Sequence, residues 1–570
     1  MTGSRRGPSD PWARRRAGLG AIAGLLAAAT ALGVGQLMAG LTGANGSPVV
    51  AVGQLQIDFT PAWLKNFAIN EFGSDDKLVL VGGILVVLGI FAAVLGVAAT
   101  RRLSYGMAGL LVFAAIGLTA AATRPTASVA SLLPTLAATA AAAIVLRVLI
   151  ERIGPRAAAG TSAAPQAWGD TGEADADGAA DSGELAAPDL PRVPDLPGQG
   201  RDWLTGPPGP SGPVEPARRG FLAASAATAG AAAVAGLAGR LLAERSSVTT
   251  ARNAIKLPQP VPTTVPTVPP GTDLNIPGLA SFITPNNNFY RVDTAIVLPE
   301  VDPSSWQLRI HGMVNREITI TFDELLKRPL IEDYVTLCCV SDPVGGPYIG
   351  NALWLGASLA SLLREAGIKS GADQLMCTSV DGFTSGTPVQ TVMDGRDALL
   401  AVAMNGQPLP IAHGFPARMV VPGLYGYVSA TKWVTDINVT TFAGNYAYWA
   451  QRGWSQQAPI KTESRIDVPN GQSQIRPGRT AVAGVAWAQH KGVEAVEVRV
   501  DQGPWNPARL AAVPDLDTWR QWVWEWDATN GNHVIEARAT DKTGYTQTAA
   551  QAQPEPNGAS GYPSVAVTVW

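Results

Sequence analysis

The stretch Tyr334–Gly346, with the sequence YVTLCCVSDPVGG, contains two of the three cysteines in the chain. The apolar and β-branched residues before the cysteines predict a strand. The Ser-Asp-Pro turn and the Gly-Gly pair after them predict a tight loop. A thiol at the end of a strand, opening into such a loop, is well placed to bind a soft metal or to act as a reactive sulfur. Because three cysteines cannot build a disulfide framework, one of them is expected to have a special role.

The composition divides the chain into two unlike halves. At 570 residues the chain is too long for one core, so several domains are expected. Before about residue 250 it is rich in Ala, Gly, Leu and Val, and all four histidines and all three cysteines come later. The net charge of −3 gives no reason to propose a nucleic-acid partner.

The first half contains four apolar segments, each long enough to span a bilayer: Ala17–Leu41, Leu78–Thr100, Tyr105–Ala122 and Ala127–Ile150. Arginines before the first segment, after the second and after the fourth predict that both ends of this region (residues 1–154) lie in the cytoplasm. The segments contain no histidine and therefore cannot hold a bis-histidine haem. We expect them to serve as an anchor or a docking surface.

Residues 155–217 lack large apolar residues and are expected to be a disordered cytoplasmic linker. Arg218 and Arg219 then open a weakly hydrophobic segment, residues 218–245, which resembles a twin-arginine export signal. An ordinary basic flank of a fifth span is the other interpretation. Either way, the fifth segment is expected to be an uncleaved anchor that places the rest of the chain outside the cell. A Pro- and Thr-rich tether is predicted for residues 246–280.

Two folded domains are predicted after this tether. Residues 281–455 alternate strand patterns with helix starts at Thr321 and Ser358. Residues 456–570 contain short alternating strands at the spacing of a β-sandwich.

Five sequence blocks give the first of these domains a specific resemblance. They are Asn287–Arg291, the Leu-x-Cys loop at Cys339, Met404–Pro410, His413–Arg418 and Thr431–Trp433. In this order they resemble the sulfite oxidase superfamily of molybdopterin enzymes over about residues 275–445. The resemblance implies a mixed α+β domain around a molybdenum bound to a pterin dithiolene, and a C-terminal immunoglobulin-like sandwich that forms a homodimer. The expected fold is thus multidomain: transmembrane helices, an α+β molybdopterin domain and a β-sandwich.

The resemblance also implies roles for individual residues. Cys339 matches the thiolate ligand of the metal, whereas Cys338 and Cys377 are expected to pack in the core. The expected cofactor contacts are Asn287, Tyr290, Arg291, Cys339, Thr384, His413, Arg418, Ala430, Thr431 and Lys432. Either Thr384 or Ser385 is expected near the open side of the metal. The candidate catalytic residues are Cys339, Thr384 and Asp342.

One departure from the family pattern bears on the substrate. Sulfite oxidases follow the ligand cysteine with arginines that help to bind an oxyanion, but here Val340–Val344 follows it. Both arginines are missing, and Asp342 adds a negative charge that would repel sulfite. The sequence therefore predicts oxygen-atom transfer on another small substrate, such as a sulfoxide or another sulfur compound.

The sequence contains no CxxCH haem motif. Electrons are therefore expected to pass to or from a separate partner or a quinone. A second hypothesis, from another class of protein, is a cofactor-free extracytoplasmic binding or adhesion module on the same fold.

Overall fold

The computed structural model describes residues 11–42, 48, 51–53, 76–123, 129–153, 218–245, 248–261, 267–471 and 473–570. The linker predicted for residues 155–217 lies outside the described residues. Five long apolar helices were predicted, and all five are present: α1 (Pro11–Thr42), α2 (Asp76–Arg101), α3 (Leu103–Ala122), α4 (Val129–Ile153) and α5 (Arg218–Arg245). Each is long and apolar enough to cross a membrane, judged by length and composition.

Helix α1 lies at the centre of this bundle and packs against α2, α4 and α5. Small residues allow the close approach: an added Cβ on Gly33 or Gly40 would collide with the backbone oxygens of Ala232 and Gly239 in α5. Because both contacts advance together along the two chains, α1 and α5 run parallel. The first helical residues of α1 and α5 therefore lie at the same end of the bundle.

Helices α2, α3 and α4 follow one another in antiparallel pairs. Gly20 of α1 meets Gly96 near the end of α2, and Gly106 near the start of α3 meets Leu146 near the end of α4. The ends of α2 and α4 consequently lie beside the starts of α1 and α5. The arginines that flank these four helix ends all belong to one end of the bundle.

The middle domain (residues 281–455) contains one mixed sheet and one antiparallel sheet. The first has the strand order β2-β1-β10-β5-β6, and the second has β3-β4-β7-β8 with β9 beside β7. The strands are β1 (Gln307–Gly312), β2 (Ile318–Thr321), β3 (Leu330–Cys338), β4 (Ile349–Ser358), β5 (Gln374–Ser379), β6 (Thr384–Pro388), β7 (Leu399–Met404), β8 (Gln407–Pro408), β9 (Arg418–Val420) and β10 (Val434–Thr440). Four short helices connect them: α7 (Phe322–Leu326), α8 (Leu359–Ala366), α9 (Val389–Met393) and α10 (Gly426–Ser429).

Both predicted helix starts in this domain are confirmed, and each has a cap. Thr321 and Glu324 form a reciprocal capping box at α7. The Ser358 side chain accepts the Ser361 N–H at the start of α8, and Gly367 ends that helix in the left-handed conformation at φ 72°. These caps stop the helices where the chain returns to the sheets, so they keep the strand ends that surround the site in place.

The C-terminal domain (residues 456–570) contains two further sheets, with the orders β11-β13-β17-β16 and β12-β19-β18-β14-β15. Their strands are β11 (Glu463–Val468), β12 (Gln474–Ile475), β13 (Gly478–Trp487), β14 (Val493–Val500), β15 (Asn506–Pro507), β16 (Arg509–Leu510), β17 (Arg520–Ala528), β18 (Gly531–Asp541) and β19 (Ser564–Val569). Trp522 from one sheet and Val498 and Ile535 from the other share one buried core. The predicted alternating strands are present; their immunoglobulin-like character stays a prediction.

The described part of the predicted tether is bound to the folded domains. Helix α6 (Val248–Ala254) buries Val248, and the backbone N–H of Val261 donates to Leu330 O at 2.8 Å. Further along, the N–H of Leu274 donates to the side-chain oxygen of Gln521 at 2.7 Å. Ile255 and Leu257, just before the prolines, also pack against the domain core. The described part of this segment is therefore attached to the domains, which the predicted tether did not include.

Strand β3 also joins the middle and C-terminal domains. The Thr336 hydroxyl accepts the backbone N–H of Trp519 at 2.7 Å, and Thr336 O accepts the side-chain amide of Gln489 at 3.0 Å. The indole N–H of Trp519 donates to Phe282 O at 2.8 Å. All three bonds are buried, so the two domains behave as one body along this strand.

Four aspartates surround this junction: Asp333, Asp397, Asp515 and Asp517. Burial, followed by the charges of the other three, raises the pKa of Asp333 to about 8. Burial raises the pKa of Asp515 to about 6. An unfolded aspartate titrates near pH ~4, so between pH ~4 and pH ~8 the folded chain holds protons that the unfolded chain has released. The contribution of these two aspartates to the free energy of unfolding therefore falls as the pH rises through this range.

The variant Asp333→Asn removes this penalty, and we expect it to raise the free energy of unfolding at pH 8 by about 1–2 kcal/mol, discounted for partial exposure. At about pH 3, where the wild-type carboxyl is mostly protonated in both states, the two proteins should differ little. Thermal unfolding of the full chain at both pH values measures the effect. Asp527→Asn, at an exposed position of β17, is the matched control. An equal gain in the control would contradict the role of the buried cluster.

Candidate active site

Strand β3 places its two cysteines in different environments. Cys338 is the last strand residue and is only 1% exposed, whereas Cys339 begins the following loop and is half-buried. Successive side chains leave a strand on opposite faces, so the core takes the first thiol and the loop presents the second. All three cysteines are free thiols, and Cys377 is fully buried on β5, as expected from the sequence.

Two contacts hold Cys339 in position. Its backbone N–H donates to Tyr348 O at 2.9 Å, and its Sγ lies 2.9 Å from the Ser341 Oγ. Burial raises the pKa of the Cys339 thiol, and the bond with Ser341 opposes that shift. A thiol in this setting stays protonated at neutral pH until a bound metal displaces the proton.

An aromatic wall stands beside the cysteine loop. Tyr290 stacks on Phe289 with the ring centroids 5.2 Å apart, and Phe289 meets Trp354 and His413 edge-on at 5.8 and 5.5 Å. Burial, followed by the negative charge that Cys339 carries in its thiolate form, raises the pKa of Tyr290 well above its ordinary value. The Tyr290 phenol is therefore a protonated donor throughout the neutral range.

Arg418 is a buried cation held by carbonyl oxygens. Its guanidinium donates to His413 O at 3.1 Å, to Ala430 O at 3.3 Å and to Met419 O at 3.3 Å, and it lies 5.0 Å from the Trp354 ring centroid. The residue is 5% exposed, and burial lowers its pKa to about 10. Among the described residues no carboxylate forms an ion pair with it, so its charge is left for a bound anion.

Lys432 brings a second cation to the same place. Its Nζ lies 2.8 Å from the Asp293 carboxylate, which also pairs with Arg291 at 2.8 Å. Burial lowers the pKa of Lys432 to about 8, although Asp293 opposes the shift. Burial, followed by the charges of Arg418 and Lys432, lowers the pKa of His413 to about 4 and keeps its ring neutral. Lys432 and Arg291 therefore share one carboxylate while Arg418 has none among the described residues, and the region carries a surplus of positive charge.

A glycine turn brings these cations together. Gly414 follows the 3₁₀ turn Ile411–His413 and has a φ of 111°. An added Cβ would lie 2.9 Å from the Arg418 Cβ and 3.1 Å from the Lys432 Cβ. Only glycine combines this backbone conformation with such a close approach. The His-Gly pair thus sets the spacing between His413, Arg418 and Lys432.

The two residues proposed for the open side of the metal occupy different positions on β6. Ser385 is fully buried, and its Oγ lies 2.6 Å from the Thr431 Oγ1. The Thr384 Oγ1 accepts the backbone N–H of Tyr448 at 2.9 Å, on the opposite face of the strand. The structure therefore links Ser385, rather than Thr384, to the predicted cofactor segment around Thr431.

The first motif contacts the site through a residue that sequence reasoning passed over. Asn287 is exposed, whereas the Asn286 backbone oxygen lies 3.2 Å from the His413 Nε2. The Asn286 side-chain oxygen also accepts from Asn405 at 2.8 Å. Residues 286–288 are all asparagines, so the sequence did not show which of them contacts the site. The Asn405-Gly406 turn, with φ of 50° and 74°, was the available signal because it presents Asn405 to that loop.

Asp342 occupies a structural position within the loop that follows Cys339. It is 5% exposed, and its carboxylate accepts the backbone N–H of Tyr348 at 2.8 Å. Burial raises its pKa to about 7. This geometry favours a role in closing the loop over the catalytic role expected from the sequence, and it also weakens the idea that Asp342 repels an anion.

The C-terminal domain supports the same loop. Arg465 of β11 donates to Gly346 O at 3.2 Å and pairs with Asp467 at 2.6 Å. Glu463, on the same strand, is 6% exposed, and burial followed by the Asp342 charge raises its pKa to about 8. Nothing in the local sequence indicated that a second domain would reach the cysteine loop.

An aromatic rim lies next to Thr384. Phe383 packs against Tyr448 at 5.8 Å, Tyr448 against Trp449 at 5.2 Å and Trp449 against Trp454 at 6.0 Å. The guanidinium of Arg452 lies 3.6 Å from the Tyr448 ring centroid. The richness of residues 446–454 in Tyr and Trp was the sequence signal for this rim.

The chain is similar to several known proteins. Residues 295–449 match the family described as an oxidoreductase molybdopterin binding domain. The chain is 28% identical to mitochondrial sulfite oxidase of Rattus norvegicus over 43% of this chain and 52% of that protein. It is 30% identical to the uncharacterized oxidoreductase YuiH of Bacillus subtilis over 30% of this chain and 85% of that protein. A likeness to the crystal structure of the sulfane dehydrogenase SoxCD from Paracoccus pantotrophus has 24% identity and a TM-score of 0.45, covering 54% of this chain and 86% of that one.

Residues 295–449 thus form a molybdopterin-binding oxidoreductase domain. The chain belongs to the sulfite oxidase superfamily of molybdopterin oxidoreductases. It spans about half the length of the mitochondrial sulfite oxidases it matches.

Gly414→Ala tests how tightly the glycine turn sets the cation pair. The added methyl group would meet Arg418 and Lys432 in a disfavoured backbone conformation, so we expect a loss of about 2–4 kcal/mol in the free energy of unfolding. Gly444→Ala is the matched control, because Gly444 has a φ of 79° but nothing within 4 Å of an added Cβ. Thermal unfolding of both variants separates the clash from the backbone strain. Equal losses of unfolding free energy in the two variants would show that contact with Arg418 and Lys432 adds nothing to the backbone strain.

Proposed function

We propose that the chain is a membrane-anchored molybdopterin oxidoreductase that performs a two-electron oxygen-atom transfer on a small substrate. The observation that carries this proposal is the presence, in one site, of the half-buried thiol of Cys339 and the buried guanidinium of Arg418. The thiol suits molybdenum, and the unmatched cation suits a phosphate. Family membership supplies the cofactor class, and these two side chains fit its two ends.

The residues of the site divide among the parts of the cofactor. Cys339 would bind the metal, and Arg418 with Lys432 would bind the phosphate of the pterin. The neutral ring of His413 and the backbone of Asn286 offer polar partners to the pterin rings. The buried Ser385–Thr431 pair supports the segment that carries Ala430 and Lys432. The exposed Asn287 and Arg291 remain proposed contacts from the first motif.

When bound, the molybdenum centre would supply two-electron redox chemistry coupled to oxygen-atom transfer. The chain's own residues orient that centre and control water and protons around it. Tyr290, kept protonated by its surroundings, can donate a hydrogen bond at the cysteine loop. The wall formed by Phe289 and Trp354 excludes water from the cation pair and so strengthens its hold on an anion.

Cys339→Ser should lower turnover by about a thousandfold or more, since a hydroxyl is a poor replacement for a soft thiolate ligand. Molybdenum-edge X-ray absorption should show one sulfur ligand fewer. Cys338→Ser is the matched control, and we expect it to keep both turnover and the sulfur ligand, at a stability cost of about 1–2 kcal/mol.

Equal effects of the two substitutions would contradict the assignment of Cys339. If the chain contains no molybdenum when it is produced in cells that load other molybdenum enzymes, the enzyme proposal fails. The cofactor-free binding module would then be the better interpretation.

We further propose that the substrate is a small sulfoxide or another uncharged sulfur compound. The residues after Cys339 supply no arginine, and this loop is occupied by its own contacts with Ser341 and Asp342. An uncharged substrate needs no cation from this loop, whereas an oxyanion would lie there without a partner for its charge.

With a reduced dye as electron donor, a dialkyl sulfoxide should be reduced to the sulfide and water, consuming two electrons and two protons. We expect kcat/KM for this reaction to exceed that for sulfite oxidation with an oxidised dye by about tenfold or more. The measurement uses molybdenum-loaded full chain in detergent. A preference for sulfite would overturn this choice of substrate.

The location is proposed from the bundle. Because α1 and α5 are parallel and their starts carry arginines, the positive-inside rule puts those ends in the cytoplasm. The middle domain follows the other end of α5 and is therefore extracytoplasmic. Export through a twin-arginine signal at Arg218 and Arg219 is part of this proposal. So are a separate electron partner or quinone and a homodimer through the C-terminal domain.

Protease added to intact spheroplasts should digest the two folded domains, because the proposal places them outside the cytoplasm. Protection of both domains from the protease would contradict this location.

A further inference from the structure

A very short connection links the fifth apolar helix to the middle domain. Residues 246 and 247 separate the end of α5 at Arg245 from the start of α6 at Val248. Consecutive Cα atoms are about 3.8 Å apart, so Val248 lies within about 11 Å of Arg245. Any placement of α5 across a membrane therefore brings α6 to the membrane surface.

Helix α6 is fixed to the middle domain rather than hanging from it. Val248 is buried in a core cluster with Phe289 and Leu409. The guanidinium of Arg252 donates to Leu409 O at 2.6 Å and to Pro408 O at 2.5 Å. The carbonyls it binds belong to the segment that leads directly into His413. The side of the domain that carries the aromatic wall is therefore the side nearest to the bundle.

A second contact brings one loop of the domain to the bundle. A Cβ added to Gly53 would lie 2.9 Å from the Ile296 Cδ1 and 3.5 Å from the Ile84 Cδ1 of α2. Ile84 is the fourth residue of the apolar span Val81–Arg101. At a rise of about 1.5 Å per residue, it lies within about 5 Å of the start of that span. Ile296 consequently sits close to the level at which the apolar helices begin.

The loop around Ile296 exposes apolar side chains on either side of this contact. Val292 is 43% exposed and Val297 is 46% exposed, whereas Ala295 between them is buried. The same loop continues directly from Tyr290 and carries Asp293, the carboxylate that holds Lys432. Its backbone position is thus tied both to the bundle and to the candidate site.

We propose that residues 292–297 form a lipid-contacting segment that lies at the boundary between the headgroups and the hydrocarbon of the bilayer, with Val292 and Val297 facing lipid. This inference rests on the proposed membrane anchoring, and it adds a specific surface and a specific partner. Two exposed valines at this level gain from contact with the hydrocarbon boundary, which water does not offer. The loop from Tyr290 to Asp293, which borders the site, then faces the membrane. This placement favours an electron carrier dissolved in the bilayer over a soluble one.

Photocrosslinking in lipid nanodiscs tests this surface on the cofactor-loaded full chain. Val297→p-benzoylphenylalanine and Val292→p-benzoylphenylalanine carry the photoprobe in the segment. The same substitution at Val234, which is 68% exposed within α5, is the reference for lipid contact, and Tyr545, 49% exposed in the C-terminal domain, is the reference for water contact. Mass spectrometry after irradiation counts the adducts with phospholipid. We expect adducts at Val297 or Val292 to be several-fold more abundant than at Tyr545 and to approach those at Val234.

The outcomes separate the two levels of the proposal. Abundant lipid adducts at Val234, with both segment positions no higher than Tyr545, would overturn the lipid-contacting segment and leave the membrane anchor standing. A lack of lipid adducts at Val234 would overturn the anchor itself, and the segment with it. Unchanged molybdenum content in each variant shows that the photoprobe has left the fold intact, and two independent positions in the segment guard against a local distortion at one of them.

Discussion

A buried guanidinium without a carboxylate partner among the described residues is the constraint on which the site depends. Removing such a charge from water costs several kcal/mol unless an anion or good hydrogen bonds compensate. Three carbonyl oxygens and the face of Trp354 compensate Arg418 only in part. Lys432 lies nearby and shares Asp293 with Arg291. The surrounding turn, with glycine at position 414, keeps these cations close together, and the positive charge left over suits the anionic cofactor that we propose.

The cysteine loop depends on both folded domains. The end of β3 separates Cys338 from Cys339, but the path of the loop beyond them is set by Asp342 from within and by Arg465 from the C-terminal domain. The bonds of Trp519 to Thr336 and Phe282 fix the two domains against each other along the same strand. The C-terminal domain is thus part of the support of the site, whatever its role in dimer formation.

The chain outside these domains has its own order. Close contacts between small residues make α1 the common neighbour of three other helices, and they set α5 parallel to it. Helix α6 begins after a connection of two residues from α5 and packs against the middle domain. A domain held this tightly presents one defined side to the bundle, and the loop from Tyr290 to Val297 is on that side. Orientation of the site relative to the helix bundle is therefore a property of the fold as a whole.

The sequence by itself determined the elements: five apolar helices, the capped helices after Thr321 and Ser358, the strand that ends at the cysteines, and the motifs that identify the cofactor family. These features depend on local periodicity, turn residues and short spacings, which one segment displays on its own. Only the tertiary structure decided which of several adjacent polar residues turns inward. It chose Asn286 over Asn287, tied Ser385 rather than Thr384 to Thr431, folded Asp342 back into its own loop and bound the supposed tether to the domains. The partner of Asp342 is six positions away, and the partners in the other choices lie 46 to 247 positions away. A local pattern does not show which of these partners a side chain will meet.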